Sequence, residues 1–290
     1  MRNWGRKLQG EQRGATLVWV MLAMVALIAM AALAVDGGYA YVQRRRMQNA
    51  ADAAAIAGAR LRALGGTTAE VGAVVNQYAT ANGATGVSWT YPTGQKIRVT
   101  ASCSFPTFFA GIIGLWQMTA SATGEASIQY LSEAGNLLPM IVEDRDFNIG
   151  QIYELWGDDR EAPGNFGWLD WNGGSPSTPE LADNIRHPSN SGTWRIGDWV
   201  PGGPGVKASS QVKSALNIWI GQHVTIPFYD LVQGQGNNTT YRIAGFGEFT
   251  LTDYDFQGNP KWVRGYFIRW VELGPGGGPN RGLASVKLTQ

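Results

Sequence analysis

The side chains able to do chemistry are few and scattered. There are two histidines, His187 and His223, and one cysteine, Cys103. Two histidines cannot build a His-rich metal centre, and a single cysteine cannot close an intrachain disulfide. His187 precedes Pro188 and lies far in sequence from His223, and no Gly-x-Ser-x-Gly elbow accompanies either, so a hydrolase triad has no support. Asp253 to Asn259 reads DYDFQGN and imitates the start of a calcium loop, but the twelfth position is the cation Arg264, where such a loop needs a glutamate. A hairpin turn is the better account. Asp144 with Asp146, and Asp158 with Asp159 and Glu161, offer paired carboxylates of the kind used in glycoside chemistry, although acids in Gly-rich loops are more often solvated turn residues. Gly202-Gly203-Pro204-Gly205 lacks the Lys-Ser/Thr of a phosphate loop. No catalytic residue, metal or cofactor is expected. The tryptophans Trp156, Trp168, Trp171, Trp194 and Trp199 admit two readings. They are core and loop anchors, or they form an exposed platform, centred on Trp168 and Trp171, for a glycan or a protein surface.

The elements that must position these residues begin with a membrane segment. Thr16 to Val35 is an uncharged run of 20 residues, which as a helix spans about 30 Å, the thickness of a bilayer's hydrocarbon core. Four cations precede it (Arg2, Arg6, Lys7, Arg13) and three follow (Arg44, Arg45, Arg46), a weak bias toward a cytoplasmic N-terminus. After Gly37-Gly38, residues to Arg62 are mostly good helix formers. Ala50, Ala54 and Gly58 share one face of that helix, with Ala51, Ala55 and Ala59 beside it. Such faces permit close approach, either to the protein's own sheet or to a helix of another protein. Thr67 and Thr68 cap a second helix reaching about Ala81. Strands follow. Ile97, Val99, Ala101, Cys103 and Phe105 share one face, and Met118, Ala120, Ala122, Gly124, Ala126 and Ile128 share another, as in half-buried antiparallel sheet. Cys103 falls in the apolar column, the place of a small core residue.

Composition agrees with a folded protein. Lys+Arg 23 against Asp+Glu 22 leaves a net charge of +1, without the basic excess of a nucleic-acid binder. Aromatics reach 11% with 12 Trp, which excludes a disordered chain. From Gly135 the chain is richer in Trp, Gly and Pro. Leu137–Val142 opens as a strand, and residues 160–174 are dense in turn formers. Short helices are expected over Thr178–Ile185 and Ser209–Ile220. Strands are expected over Val224–Asp230, Tyr241–Thr252 and Lys261–Leu273, the last two pairing across Asp253–Pro260. Gly274–Gly282 suggests a flexible end.

The block from Arg13 to Ala59 resembles the N-terminal domain of the Flp pilus-assembly TadE/TadG-like family, part of the bacterial tight-adherence machinery. Arg13-Gly14 before the span, Asp36-Gly37 after it, Tyr41, and above all Gln48-Asn49-Ala50-Ala51-Asp52-Ala53-Ala54-Ala55 carry the resemblance. Pro106 to Gly114 and the following TASATGEA are similar to the second half of such domains. The resemblance implies a single-pass, extracytoplasmic, pilus-related protein without known catalysis in this domain. Trp19 stands where processed prepilins carry Glu, which suggests an anchored accessory protein and not a polymerising subunit.

The expected fold is α+β. A transmembrane and stalk helix packs on a small antiparallel sheet, and a β-dominant α+β domain follows. The expected segments are a cytoplasmic tail (1–14), the span (15–35), the stalk and first sheet (36–131), the Trp/Gly-rich domain (132–273) and a flexible tail (274–290). The expected role is a structural component acting by packing against pilus or pseudopilin components, held by membrane lipid through residues 16–35. Interaction residues are Ala50, Ala54 and Gly58 on the stalk and Trp168 and Trp171 in the second domain. The other reading is a surface-anchored module binding a glycan or protein through the Trp-rich loops.

Overall fold

The computed structural model of the chain describes residues 12–156, 165–173, 177–258 and 260–289. The fold is α+β. Helix α1 (Gln12–Ala63) and helix α2 (Thr68–Ala81) precede strands β1 (Gly86–Thr93), β2 (Lys96–Pro106), β3 (Gln117–Tyr130), β4 (Glu133–Gly135), β5 (Val142–Glu143), β6 (Ile152–Leu155) and β7 (Asn165–Leu169). Helix α3 (Thr178–Arg186), strands β8 (Thr193–Arg195) and β9 (Trp199–Pro204), and helix α4 (Ser210–Leu216) follow. The chain ends with β10 (His223–Gln233), β11 (Thr240–Asp255), β12 (Trp262–Ile268), β13 (Trp270–Val271) and β14 (Leu283–Leu288).

Helix α1 runs through Gly37-Gly38 without a break, for 52 residues. Each glycine costs a helix up to about 1 kcal/mol, yet tertiary contacts on both sides of the pair outweigh that cost. Asp36 is clamped just before it, and the Tyr39 ring meets Phe105 and Phe108 edge-on, 5.3 Å from each centroid. Beyond this point α1 lies across the first sheet, ordered β1-β2-β3-β14-β13. The core between them is made from small residues on the helix and β-branched or small residues on the strands. Met47, Ala50, Ala51, Ala54, Ala55 and Ala59 meet Val71 and Val75 of α2 and Ile97, Val99, Ala101, Ala120 and Ala126 of the sheet. A Cβ on Gly124 would fall 2.8 Å from backbone atoms of Ala51 and Asp52, so β3 reaches the α1 backbone only as glycine. Thr67 caps α2 in a reciprocal capping box with Glu70.

Ala50, Ala54 and Gly58 are buried within this core, and a Cβ on Gly58 would meet Val75 Cγ2 at 2.7 Å. The expectation that this face is open to a partner is thereby corrected. Its helix–helix surface is internal, with α2 as the second helix.

The larger sheet runs β5-β10-β11-β12-β6, with β9 also pairing β11 and β7 pairing β9. On one face α3 and α4 bring Leu181, Ile185, Val212 and Leu216 onto Ile226, Phe228, Phe249 and Phe267. The opposite face packs Leu137, Ile141, Val200, Tyr229, Tyr241 and Ile243. Leu137–Val142 is less regular than a strand, with single bridges at Leu137 and Met140 and pairing only over β5.

The flexible tail expected over 274–290 is also corrected. β14 pairs antiparallel with β3, from Ala284–Tyr130 to Leu288–Ala126, so the first sheet takes strands from both ends of the chain. The Gly/Pro segment before it is docked. Gly277 and Gly278 N–H both donate to Tyr130 O at 2.9 Å, and a Cβ on Gly278 would overlap Leu131 O. These glycines serve close backbone approach.

The two kinds of glycine in α1 predict opposite outcomes. Gly58→Leu overpacks the α1–α2 seam and is expected to cost about 1–3 kcal/mol. Gly38→Ala, with no atom within 4 Å of its Cβ position, is expected to be neutral or to stabilise by up to about 1 kcal/mol. Denaturant unfolding of the full chain in detergent checks both.

Candidate functional site

From Thr16 to Val35 every residue of α1 is exposed except Ala32, which is half-covered. Leu17, Met24, Leu27, Ile28 and Leu33 each leave 60% or more of their surface uncovered. This stretch is long and apolar enough to cross a membrane. Among the described residues, none packs over it apart from the partial cover at Ala32.

Asp36 is the first charge after that run and is buried. Its carboxylate accepts three consecutive backbone N–H groups, from Phe108 (2.8 Å), Phe109 (3.0 Å) and Ala110 (2.6 Å). These donors open a single 3-10 turn, Ala110–Ile113, at the tip of the β2–β3 hairpin. N–H groups at a helical start have no partner within their own turn, and an anion satisfies them. Burial works against the charge, and the three donors outweigh it, leaving the Asp36 pKa below the ordinary aspartate value. From this clamp, β2 runs back along α1. Phe105 meets Tyr39, Cys103 meets Gln43 at 3.6 Å, and Ile97 lies beside Gly58. Cys103 is buried, in the core column its alternation suggested.

The densest part of the sequence motif sews α1 to β3. Gln48 Nε2 donates to Asp52 Oδ1 (2.8 Å) and to Thr123 O (3.1 Å), beside the bare Gly124. Glu125, next on the strand, is held by Lys96 and Arg98, both at 2.8 Å, and these contacts pull its pKa down to about 2. Gln48, Asp52, Arg98, Thr123, Gly124 and Glu125 line a groove of about 690 Å³ in which the Glu125 carboxylate is already paired.

The other sequence candidates do not converge. Trp168 is fully buried, and its Nε1 donates to Val206 O at 2.8 Å, so it presents no face to a ligand, a correction to its place in an exposed platform. Burial alone discriminates here, because Trp168 alternates with Phe166 into the core beside Trp156 and Phe256. Trp171 is half-buried against Trp194, with centroids 5.9 Å apart, and Trp199 is half-buried in β9. His187 bonds Asp183 on the surface, and His223 bonds Thr250, so the histidines share no partner. Asp144 is paired with Arg281 at 2.5 Å, while Asp146 lies fully exposed 3.8 Å from the same guanidinium, so the two carboxylates do not face a common site. Asp158, Asp159 and Glu161 lie outside the described residues. At Asp255, Oδ1 accepts the Gln257 and Gly258 N–H groups, the geometry of a hairpin turn between β11 and β12. Among the described residues, no group of three or more His, Cys, Asp and Glu side chains is arranged to hold a metal ion.

Two features escaped the sequence reading. The role of Asp36 was invisible because its partners lie 72 to 74 residues away. Trp116, 72% exposed, sits in an apolar tip whose composition alone does not separate surface from core. Its signal was the absence of any charge between Arg98 and Glu125.

Residues 14–61 match the family model described as putative Flp pilus-assembly TadE/G-like. They comprise nearly all of α1, from the apolar run through Asp36 and the Gln48–Ala55 motif. No curated protein and no solved structure matches the chain significantly.

Glu248 carries a pH prediction. It sits in β11, accepts a hydrogen bond from Thr225 and is almost wholly buried. Burial pushes its pKa from 4.5 up to about 7, with Thr225 pulling down and Glu272 adding to the rise. A raised carboxyl supports the fold fully below about pH 4.5 and loses that support as pH rises through about 7, a difference on the order of 3 kcal/mol. Glu248→Gln should therefore raise the melting temperature at pH 8 and leave it nearly unchanged at pH 4. Equal shifts at both pH values would contradict a buried, protonated Glu248.

Proposed function

We propose that the chain is a membrane-anchored structural component of a Flp-type pilus-assembly apparatus, acting by packing and positioning without making or breaking bonds. The observation that carries this reading is the two-part character of α1 within the matched segment. Residues 16–35 are apolar and bare, while residues from Asp36 to Ala63 are clamped and buried in the first sheet. A helix continuous from one part to the other transmits the position of the membrane to the folded portion, because an α-helix bends little without Pro or an inserted group.

In this reading residues 16–35 cross the cytoplasmic membrane once, with residues 1–14 inside. The two sheets stand outside and present the protein to other pilus components. The internal use of Ala50, Ala54 and Gly58 supports contact through the outer surfaces of the sheets and not through that seam. The burial of Trp168 leaves the glycan-binding alternative without its central residue.

Gentle detergent extraction of native membranes, affinity capture of the full chain and mass spectrometry test the proposal. Pilins, pseudopilins or the secretion ATPase of the apparatus are expected in the eluate, with the protein resisting carbonate extraction from membranes. Recovery in the soluble fraction, or capture without any pilus component, would contradict it.

A further inference from the structure

The tip of the β2–β3 hairpin carries a surface that the packing account does not use. Phe108, Ile112, Ile113, Leu115 and Trp116 are exposed, Ile112 by 86% and Ile113 by 78%. No charged residue occurs between Arg98 and Glu125. Single exposed apolar residues are ordinary on a protein surface, but a contiguous, charge-free group of large ones marks a contact.

Its position identifies the contact. The backbone of the tip is tied to Asp36, the residue that ends the uncharged run of α1. Ala32, one turn earlier on the same face, is the one residue of the run that is half-covered. The apolar tip thus lies level with the end of the bare helical segment, and the two apolar surfaces are continuous. Arg44 and Arg45 are exposed about 12 Å further along the helix, at the height where phosphate headgroups follow hydrocarbon.

The backbone of the tip is prepared for an apolar medium. Phe108, Phe109 and Ala110 donate to Asp36, Thr107 N–H donates to Trp116 O, and Ile112, Gly114 and Leu115 N–H donate within the tip. Closure of this kind is compatible with a membrane boundary, where each unmet N–H is costly. Gly111 lets the Trp116 ring lie against the turn, since a Cβ there would sit 2.8 Å from the ring. An exposed tryptophan on an apolar knob fits the interface between hydrocarbon and headgroups.

We infer that residues 107–116 form a second membrane contact, a knob that dips into the outer boundary of the same bilayer α1 crosses. This rests on the anchoring reading of α1. It holds the folded part at two points, so the first sheet cannot swivel freely about the helix.

Site-directed spin labelling of the full chain in phosphatidylethanolamine/phosphatidylglycerol vesicles tests it. In a Cys103→Ala background, nitroxides are placed singly at Ile112, Ile113, Leu27 in the apolar run, and Ile218, an exposed apolar residue of the other half. Labels at Ile112 and Ile113 are expected to lose collisions with a water-soluble nickel complex relative to Ile218, and to gain collisions with oxygen, as Leu27 does. Nickel access at Ile112 and Ile113 with protection at Leu27 would overturn the knob and leave the anchor standing. Exclusion of both reagents at the tip would mean burial against protein and would equally overturn it. Nickel access at Leu27 would remove the anchor and this inference together.

Discussion

Three backbone N–H groups converging on one carboxylate tie the apolar helix to the folded part of this structure. Asp36 is where an apolar helix leaves its bare stretch and becomes part of a folded protein. Gly37-Gly38 is a weak point of the helix, and the clamp before it and the Tyr39 ring contacts after it keep it from swivelling. With the clamp, the hairpin tip is fixed to the helix, and the register of β2 along α1 follows residue by residue, through Tyr39 and Phe105, Gln43 and Cys103, and Gly58 and Ile97. The interaction suits its place. A charge beside an apolar run is affordable only when donors surround it, and these donors have no other partner within their own turn.

Small residues then set the distance between layers. Alanines of α1 and Gly124 of β3 let the helix and strand backbones touch, and Gln48 and Asp52 secure the strand at that contact. The Gln48–Ala55 motif is thus a packing device whose Gln48 and Asp52 lie over the central strand β3. The larger sheet is built differently, from aromatic residues under two short helices. After it the chain returns to the first sheet, where β13 and β14 are added beside β3, a pairing that neither half of the sequence suggests alone.

Much of the fold was legible because it is local. Thr67 and Glu70 spell a capping box, and the period-2 alternation of β2 and β3 reads directly as one buried face. The helices beginning at Thr178 and Ser210 and the β11–β12 pairing were legible for the same reason. What was hidden depends on contacts distant in sequence. Composition made residues 274–290 look like a free tail, but Gly276 and Gly278 are small because Gln129 and Leu131 pass over them. Trp168 and Trp171 look alike in sequence, and only the surrounding core separates the buried one from the half-buried one. Of the candidate site, the apolar run and the motif could be read, whereas the clamp at Asp36 and the knob it holds could not.

The most direct measurement is hydrogen exchange of the full chain in detergent, resolved to the Phe108, Phe109 and Ala110 amides, for the parent and for Asp36→Ala. The account predicts slow exchange at these amides in the parent. In the variant they should exchange quickly, while Val99 and Ala101 in the helix-packed part of β2 stay protected. Unchanged protection at the tip, or loss of protection throughout β2, would contradict the view that this carboxylate ties the hairpin to the helix while the small-residue core holds independently.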